Sequence, residues 1–348
     1  MIIDIYDKDQ VYYPEYKSCC VQNCIRQVLE YYGIAHSHLL INIDFNVCNL
    51  PKDYFIVYDN RILLGTYDDI LSCYDDTNAD ALQIWERNKA SMYNLTPVIV
   101  GVDTYYLPYD INFNKIHSAH MIIICGYDEL SQEVMIIDVG ERAQYKGQIS
   151  LTDYLLARNS INPKGEGFYS GFPISNTYID VSSINSGSIN YKELILSTFD
   201  NILEYIINLE DKNPKCNNLM QLLLSASKLS FDDNIMNDDI LDKLYADIYY
   251  IARNRRLFVL YLKHMKEIYL FDVNIVMRKV IEIVEKWKIA YNLLIKVKLS
   301  HNEKTYRRFV ECFSNALNLE IGIKKDICYL LDLVRRRNEY EFVNKTLR

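Results

Sequence analysis

The chain has 348 residues, half of them apolar, and a formal net charge of −8 at pH 7. This length favours two domains, and the apolar content excludes a wholly disordered chain. The acidic balance argues against nucleic acid as a partner, and no apolar run is long enough to span a membrane. The acidic start, with Asp4, Asp7 and Asp9, does not have a signal-peptide pattern, so we expect a cytoplasmic protein with free thiols.

Charge and glycine content divide the sequence into two halves. Residues 1–180 hold 12 Lys and Arg against 24 Asp and Glu, whereas residues 181–348 hold 26 against 22. A Ser-, Asn- and Gly-rich run, typical of a linker, covers residues 182–188. We therefore predict a first domain over residues 1–182 and a second over residues 189–348.

The first strong pattern along the chain is a short amphipathic helix. Apolar residues recur at helical spacing from Val21 to Tyr32, and Gly33 follows where a left-handed C-cap is expected. Ser18 is the predicted N-cap, which places Cys20 in the first turn and off the apolar stripe. The free N–H groups and the positive dipole end there favour thiolate. Cys20 is therefore a candidate nucleophile, although most cysteines of cytosolic proteins are small core residues.

The rest of the first half predicts short strands, one helix and then three strands in succession. Short strands and turns are expected over residues 39–66, and a helical pattern covers residues 78–94. Three apolar runs, at residues 97–103, 121–125 and 134–138, predict buried strands. A helix packed on an antiparallel sheet accounts for this order, so we predict an α+β fold.

The second half predicts an all-α domain. Helical periods run from Tyr191 onward with almost no glycine or proline, which favours five or six helices. The later periods cover residues 216–229, 237–270, 273–299, 302–319 and 321–342. Arginine clusters at residues 253–256, 307–308 and 335–337 are either solvated helix ends or a docking surface for an acidic partner.

Chemistry-bearing residues flank the second and third apolar runs. His120 precedes the run 121–125, and the next run ends in Asp138. A hairpin with its turn centred near Glu129 would place Asp138 directly opposite His120, with both side chains on one face. A carboxylate there would fix the imidazole tautomer and stabilise its protonated form. With Cys20, the chain has the parts of a nucleophile, a base and an orienting acid.

Other interpretations of these residues stay open. Taken alone, His120 could be a structural histidine and Asp138 a cap at a strand end. A zinc site could also be assembled, although no Cys-x-x-Cys pair occurs. Its candidate ligands are Cys19, Cys20, Cys24, His36, His38, His117 and His120. The sequence has no Walker loop, dinucleotide glycine fingerprint or His-Glu-x-x-His motif, and we expect neither a metal nor a nucleotide cofactor.

Two segments resemble motifs of the butirosin biosynthesis protein H family, in its N-terminal domain. In residues 20–33 a cysteine begins a helix and a glycine ends it. Residues 97–109 end in Asp-Thr-Tyr-Tyr-Leu-Pro-Tyr, and His-Ser-Ala-His at 117–120 and Gly-Tyr-Asp at 126–128 follow. The resemblance covers roughly residues 12–180. It implies a papain-like cysteine-protease fold, related to that of bacteriocin-processing peptidases, for the first domain.

The resemblance also implies an activity and the residues that carry it. The namesake is an acyltransferase that moves an aminoacyl group from an acyl carrier protein to an aminoglycoside amine, and a papain-like amide-forming enzyme of closthioamide assembly is a further candidate relative. Matched by position, Cys20 is the nucleophile, His120 the base and Asp138 the orienting acid. The related peptidases bind the oxyanion with a glutamine six residues before the cysteine, where this chain has Pro14. The Cys20 backbone N–H and a second donor would replace it.

The expected substrate contacts and partners also follow from the resemblance. The candidate substrate-binding residues are Asp103, Tyr105, Tyr106, Gln22 and Asn23, the last two also being candidate oxyanion donors with Tyr13. The expected donor is an acyl or peptidyl carrier protein that brings its own phosphopantetheine, and the expected acceptor is a small amine. The helical domain is the expected contact if copies of the chain form a homo-oligomer. A cysteine peptidase or amidase, with water as acceptor, and a non-catalytic binding protein are the alternatives.

Overall fold

A computed structural model of the chain describes most of the predicted helices and strands. The described residues are 3, 20–34, 36–41, 43, 45, 72–74, 81–139, 144–165, 170–171, 174, 178–180, 189–210, 238–269 and 271–336. Ser18, most of the predicted strands over 39–66, the linker 182–188 and the predicted helix 216–229 lie outside them. Among the described helices, none combines the length and the apolar character that crossing a membrane requires.

The chain divides into two compact units. The first comprises Met1–Ser37 and Gly65–Ile189, and the second comprises His38–Leu64 and Asn190–Arg348. The second unit thus takes in a segment from the first half of the sequence. The domain limits 1–182 and 189–348 stay a prediction.

The first unit is built on an antiparallel sheet of six strands. The strands are β1 (Ser72–Tyr74), β2 (Val98–Asp103), β3 (Ala119–Asp128), β4 (Glu133–Val139), β5 (Gln144–Ser150) and β6 (Tyr178–Asp180). Their order across the sheet is β1-β6-β2-β3-β4-β5. The helices of this unit are α1 (Cys20–Tyr31), α2 (Ala81–Tyr93) and α3 (Leu151–Asn159). This architecture confirms the α+β prediction, and the papain-like fold stays a prediction.

The three predicted apolar strands are β2, β3 and β4. Every residue of β2 is buried, and β3 is buried without interruption from Ile122 to Tyr127. Continuous burial along a strand means that both faces of the sheet are covered, which is why these segments have no alternating pattern. The sequences of β1, β5, β6 and α3 are short or polar, and none of these elements was predicted.

Helix α1 is buried on nearly all sides rather than along one stripe, because residues 22–29 are all buried. It ends in the predicted left-handed cap, with Gly33 at φ +77° and the Ile34 N–H donating to the Leu29 carbonyl at 3.0 Å. A Cβ at Gly33 would meet no atom within 4 Å, so the positive φ and not space favours glycine. Cys20, the first residue of this central helix, is only half-buried.

The described residues of the second unit are mainly helical. Its helices are α4 (Tyr191–Glu210), α5 (Asp238–Tyr269), α6 (Asn274–Ser300), α7 (Glu303–Gly322) and α8 (Lys324–Arg336). Their apolar faces, together with Phe45, form one large core cluster. Except for residues 216–229, the predicted helices correspond to these five.

A buried carboxylate connects four of these helices. Glu320 on α7 is completely buried, and it accepts hydrogen bonds from Arg255 Nε at 2.8 Å, Trp287 Nε1 at 2.7 Å and the Tyr205 hydroxyl at 2.5 Å. These donors lie on α5, α6 and α4. The interpretation of Arg255 as a solvated or docking residue is therefore wrong, since the Glu320 charge compensates the guanidinium inside the core.

Neutralising this carboxylate should strongly destabilise the helical unit. Glu320→Gln leaves the buried Arg255 charge without its counterion, which costs about 3–5 kcal/mol of unfolding free energy in typical buried pairs. The measurement is urea unfolding followed by the fluorescence of Trp287, in a Trp85→Phe background that removes the other tryptophan.

An exposed ion pair on the same helix supplies the control. Arg307 bonds Glu303 at 2.6 Å, and both side chains are more than half exposed. Glu303→Gln should change the unfolding free energy by less than about 0.5 kcal/mol, because water screens such pairs. Equal losses in the two variants would contradict the account of the buried pair.

Candidate active site

The predicted hairpin between β3 and β4 is present, but its register differs from the prediction. Ile123 pairs with Ile137, and a bulge just before Gly126 interrupts the ladder. Direct opposition of His120 and Asp138 is therefore wrong, because the turn lies farther along the chain and the register is displaced by two residues. A displacement of two keeps both side chains on one face, where diagonal neighbours remain within reach of long side chains.

His120 and Asp138 form a short hydrogen bond on that face. The distance from His120 Nε2 to Asp138 Oδ1 is 2.8 Å, and the side chains are 17% and 7% exposed. Burial by itself would lower the pKa of His120, but the Asp138 charge, the nearby Cys20 and the hydrogen bonds to both residues raise that pKa well above 6.5. The geometry therefore favours a protonated imidazole.

Cys20 completes this cluster from the start of α1. Its thiol lies close enough to the His120 ring for the ring's charge and hydrogen bonding to act on it, while His120 Nε2 bonds Asp138. Burial would raise the pKa of the Cys20 thiol, but the His120 charge, the hydrogen bond to the ring and the Met121 backbone N–H together lower it below 9. The three side chains thus favour a thiolate beside an imidazolium.

Helix α1 is held against the hairpin by two of its own side chains. Asn23 Nδ2 donates to the Val139 carbonyl at 2.8 Å, and the Cys24 thiol donates to the Met121 carbonyl at 3.4 Å. These bonds connect α1 to β4 and β3, the strands that carry the carboxylate and the imidazole. They account for the position of Cys20 over the hairpin.

Tyr109, for which no role was predicted from the sequence, contacts the same carboxylate. The Tyr109 hydroxyl donates to Asp138 Oδ2 at 3.0 Å, and its ring stacks on Tyr145 at 3.9 Å between centroids. Tyr145 is the partner of Asp138 in the β4–β5 ladder. Tyr109 is the last residue of the Asp-Thr-Tyr-Tyr-Leu-Pro-Tyr segment. The sequence shows that segment but not how its loop brings Tyr109 to Asp138.

The five candidate substrate-binding residues occupy two kinds of environment. Tyr105 and Tyr106 are half-buried, whereas Gln22, Asn23 and Asp103 are buried, Asp103 completely. Asp103 accepts hydrogen bonds from its own protein, including one from Ser160. Buried side chains offer a substrate little surface, and a role in substrate binding stays a prediction for all five. Tyr13 and Pro14 lie outside the described residues.

The alternative metal site has no support in the described part of the chain. There, no group of three or more His, Cys, Asp or Glu side chains is arranged to hold a metal ion. Cys19 lies outside the described residues. Of the other candidate ligands, His38 stacks closely on His264, and His117 bonds Asp103 at 2.6 Å.

Comparison with known proteins gives one finding on the first unit. No curated protein matches the chain. Residues 73–139, which contain β2, β3 and β4 with His120 and Asp138, match the family model described as "Butirosin biosynthesis protein H, N-terminal". This match confirms the predicted resemblance to that family over the matched residues.

Proposed function

We propose that this protein is a biosynthetic acyltransferase that uses Cys20 to form an amide bond. The donor is an acyl or peptidyl group carried as a thioester on a carrier protein, and the acceptor is a small amine. The observation that carries the proposal is the 2.8 Å bond of His120 to Asp138, with the Cys20 thiol close enough to His120 for each to shift the pKa of the other. The match to a family named for butirosin biosynthesis supports a biosynthetic acyltransferase.

The first step transfers the acyl group to the enzyme. The Cys20 thiolate attacks the thioester carbonyl, and the carbon–sulfur bond to the carrier's phosphopantetheine breaks. The departing thiolate takes a proton from the His120 imidazolium and leaves as a thiol. His120 is then neutral, and Asp138 continues to hold its ring. A thioester is already activated, so the step proceeds without a further activating group.

The second step releases the product as an amide. The amine nitrogen attacks the acyl-enzyme carbonyl, and His120 takes the proton that the nitrogen loses. The bond to Cys20 Sγ breaks, which restores the thiolate and the imidazolium. Water at the same position would give hydrolysis, and the same residues would then act as a peptidase or amidase. The acceptor therefore distinguishes the two activities.

The distribution of charge supports an amine acceptor and an acidic donor. The first 180 residues are strongly acidic, and such a field raises the local concentration of a cationic amine. The carboxylates that we expect to flank the substrate cleft are Asp68, Asp69, Asp75, Asp76, Asp80, Asp103 and Asp110, of which the last two lie among the described residues. The second half carries an excess of basic residues, which suits an acidic carrier protein.

Replacing the nucleophile should abolish acyl-enzyme formation. Cys20→Ala removes the sulfur whose charge acts on His120, so an acylated carrier protein should add no mass to the variant. Intact-protein mass spectrometry after mixing with the acylated carrier is the measurement. The matched control is Cys19→Ala, which should become acylated like the parent. Acylation of the Cys20 variant would refute the assignment.

The acidity of the Cys20 thiol should depend on His120. In the parent, the rate of Cys20 alkylation by iodoacetamide should stay high as the pH falls below 9. It should decline only when the pH falls through the lowered pKa of the thiol. In His120→Ala the charge and hydrogen bond of the ring are lost while burial and the Asp138 charge still raise the thiol pKa, so alkylation at pH 7 should fall by about tenfold or more, in proportion to the thiolate fraction.

Peptide mass spectrometry measures this rate at each cysteine separately. The exposed Cys328, in the other unit, serves as an internal control whose alkylation should be the same in both proteins. An identical pH profile for Cys20 with and without His120 would mean that the imidazole does not activate the thiol.

The choice of acceptor tests the transferase directly. A small diamine or amino sugar should discharge the acyl-enzyme faster than water, and the carrier-dependent acylation should weaken as salt screens the charged surfaces over about 10 Å at 0.1 M. The lifetime of the acyl-enzyme, followed by mass spectrometry with and without each amine, is the measurement. Hydrolysis unchanged by every amine, together with Cys20-dependent cleavage of short peptides, would establish the peptidase instead.

A further inference from the structure

The loop between β2 and β3, residues 104–118, is closed at its base by hydrogen bonds. It starts with a 3-10 helix, Thr104–Tyr106, and returns to the sheet at Ser118. The Thr104 N–H donates to the Ser118 carbonyl at 3.0 Å, so the two ends of the loop lie side by side. A loop with adjacent ends that packs on its own side chains has the character of an Ω-loop.

The carboxylate of Asp103 fixes this base. Its Oδ1 accepts from the backbone N–H groups of Tyr105 at 3.0 Å and Ser118 at 3.1 Å. Its Oδ2 lies 2.6 Å from His117 Nδ1 and accepts from the Ser160 hydroxyl at 2.5 Å. Asp103 is completely buried. Three of its four partners belong to the loop, and the fourth is Ser160. One carboxylate therefore joins the beginning of the loop, its end and the residue after α3.

Further contacts hold the interior of the loop. The Asn114 N–H donates to the Tyr105 carbonyl at 2.9 Å, and Asn112 Nδ2 donates to Thr104 Oγ1 at 3.2 Å. The Tyr105 ring stacks on His117 with 4.1 Å between centroids and 9° between planes. The conformation of the loop is thus determined by its own residues.

This fixed loop presents Tyr109 to Asp138. The Tyr109 ring lies parallel to Tyr145, at 2° between planes, and its hydroxyl donates to Asp138 Oδ2 at 3.0 Å. Tyr145 in turn lies over Gly147, where a Cβ would come within 2.4 Å of the Tyr145 hydroxyl oxygen. A glycine at this position on β5 leaves space for the ring that supports Tyr109.

The second hydrogen bond restricts how the carboxylate can turn. Oδ1 faces His120 and Oδ2 faces Tyr109, so rotation of the carboxylate would break two charge-assisted bonds. Burial and the Asp138 charge raise the pKa of Tyr109 well above 10, so the phenol keeps its proton and donates across the working pH range. The two hydrogen bonds thereby orient the Asp138 carboxylate toward His120.

We propose that Tyr109 is a positioning residue that acts on Cys20 through Asp138 and His120, and that the loop closed by Asp103 sets the place of its hydroxyl. The inference rests on the proposed function, in which Cys20 is the nucleophile. It assigns a role to the Asp-Thr-Tyr-Tyr-Leu-Pro-Tyr segment, whose aspartate fixes the loop and whose last tyrosine orients the carboxylate.

A double-mutant cycle on Cys20 alkylation tests this chain of contacts. Tyr109→Phe keeps the stacked ring and removes the hydroxyl, so alkylation of Cys20 at pH 7 should slow roughly tenfold, as expected for one lost hydrogen bond to a charged group. In an Asp138→Asn background the same change should slow alkylation by less than about twofold, since residues that act through one another are not additive. The pH profile of alkylation is recorded for all four proteins.

The control removes the same kind of bond elsewhere. The Tyr93 hydroxyl donates to the exposed Glu129 carboxylate at 2.7 Å, and Tyr93→Phe should leave the Cys20 alkylation rate and pH profile unchanged. Additive slowing by Tyr109→Phe and Asp138→Asn, or equal slowing by Tyr93→Phe, would overturn the proposal. Alkylation needs no acyl donor, so a protein that transfers no acyl group would refute the proposed function and leave this coupling intact.

Discussion

The Asp138 carboxylate is the group on which the site depends, because it must stay ionised and aimed while almost buried. A buried carboxylate is costly unless each oxygen finds a donor, and here His120 and Tyr109 take one oxygen each. The negative charge raises the pKa of His120, and the charged ring lowers the pKa of the Cys20 thiol, so the contacts favour an imidazolium beside a thiolate. Each member of the series is stabilised by the next, so the ionised state belongs to the cluster and not to one residue.

The parts of this cluster that sequence could predict are those that depend on local periodicity. Alternation along a strand predicted that His120 and Asp138 share a face, and that holds although the register is displaced by two residues, because a displacement of two preserves the face. Helical spacing predicted α1 and the left-handed Gly33 that ends it. Because the helical spacing also placed Cys20 in the first turn of α1, it predicted Cys20 as a candidate nucleophile.

The parts that sequence could not predict depend on partners far apart in the chain. Asp103 was predicted only as a candidate substrate contact, and its bonds to Ser118 and Ser160, which close the base of a loop, could not be foreseen. Arg255 looked like a surface cation, and only the buried carboxylate of Glu320, 65 residues away, makes it a core residue. Propensity describes neighbours in sequence, whereas these roles come from tertiary packing.

The protonation state of His120 is the most direct test of this account. In protein with ¹⁵N-labelled histidine, the His120 ring resonances are identified by their loss in His120→Gln and followed with pH. Both ring nitrogens should stay protonated well above pH 6.5, and Cys20→Ser, which removes the thiolate, should lower the pH at which His120 titrates. A His120 ring that is neutral at pH 7.5 and titrates near 6.5, unaffected by Cys20→Ser, would contradict the thiolate–imidazolium pair.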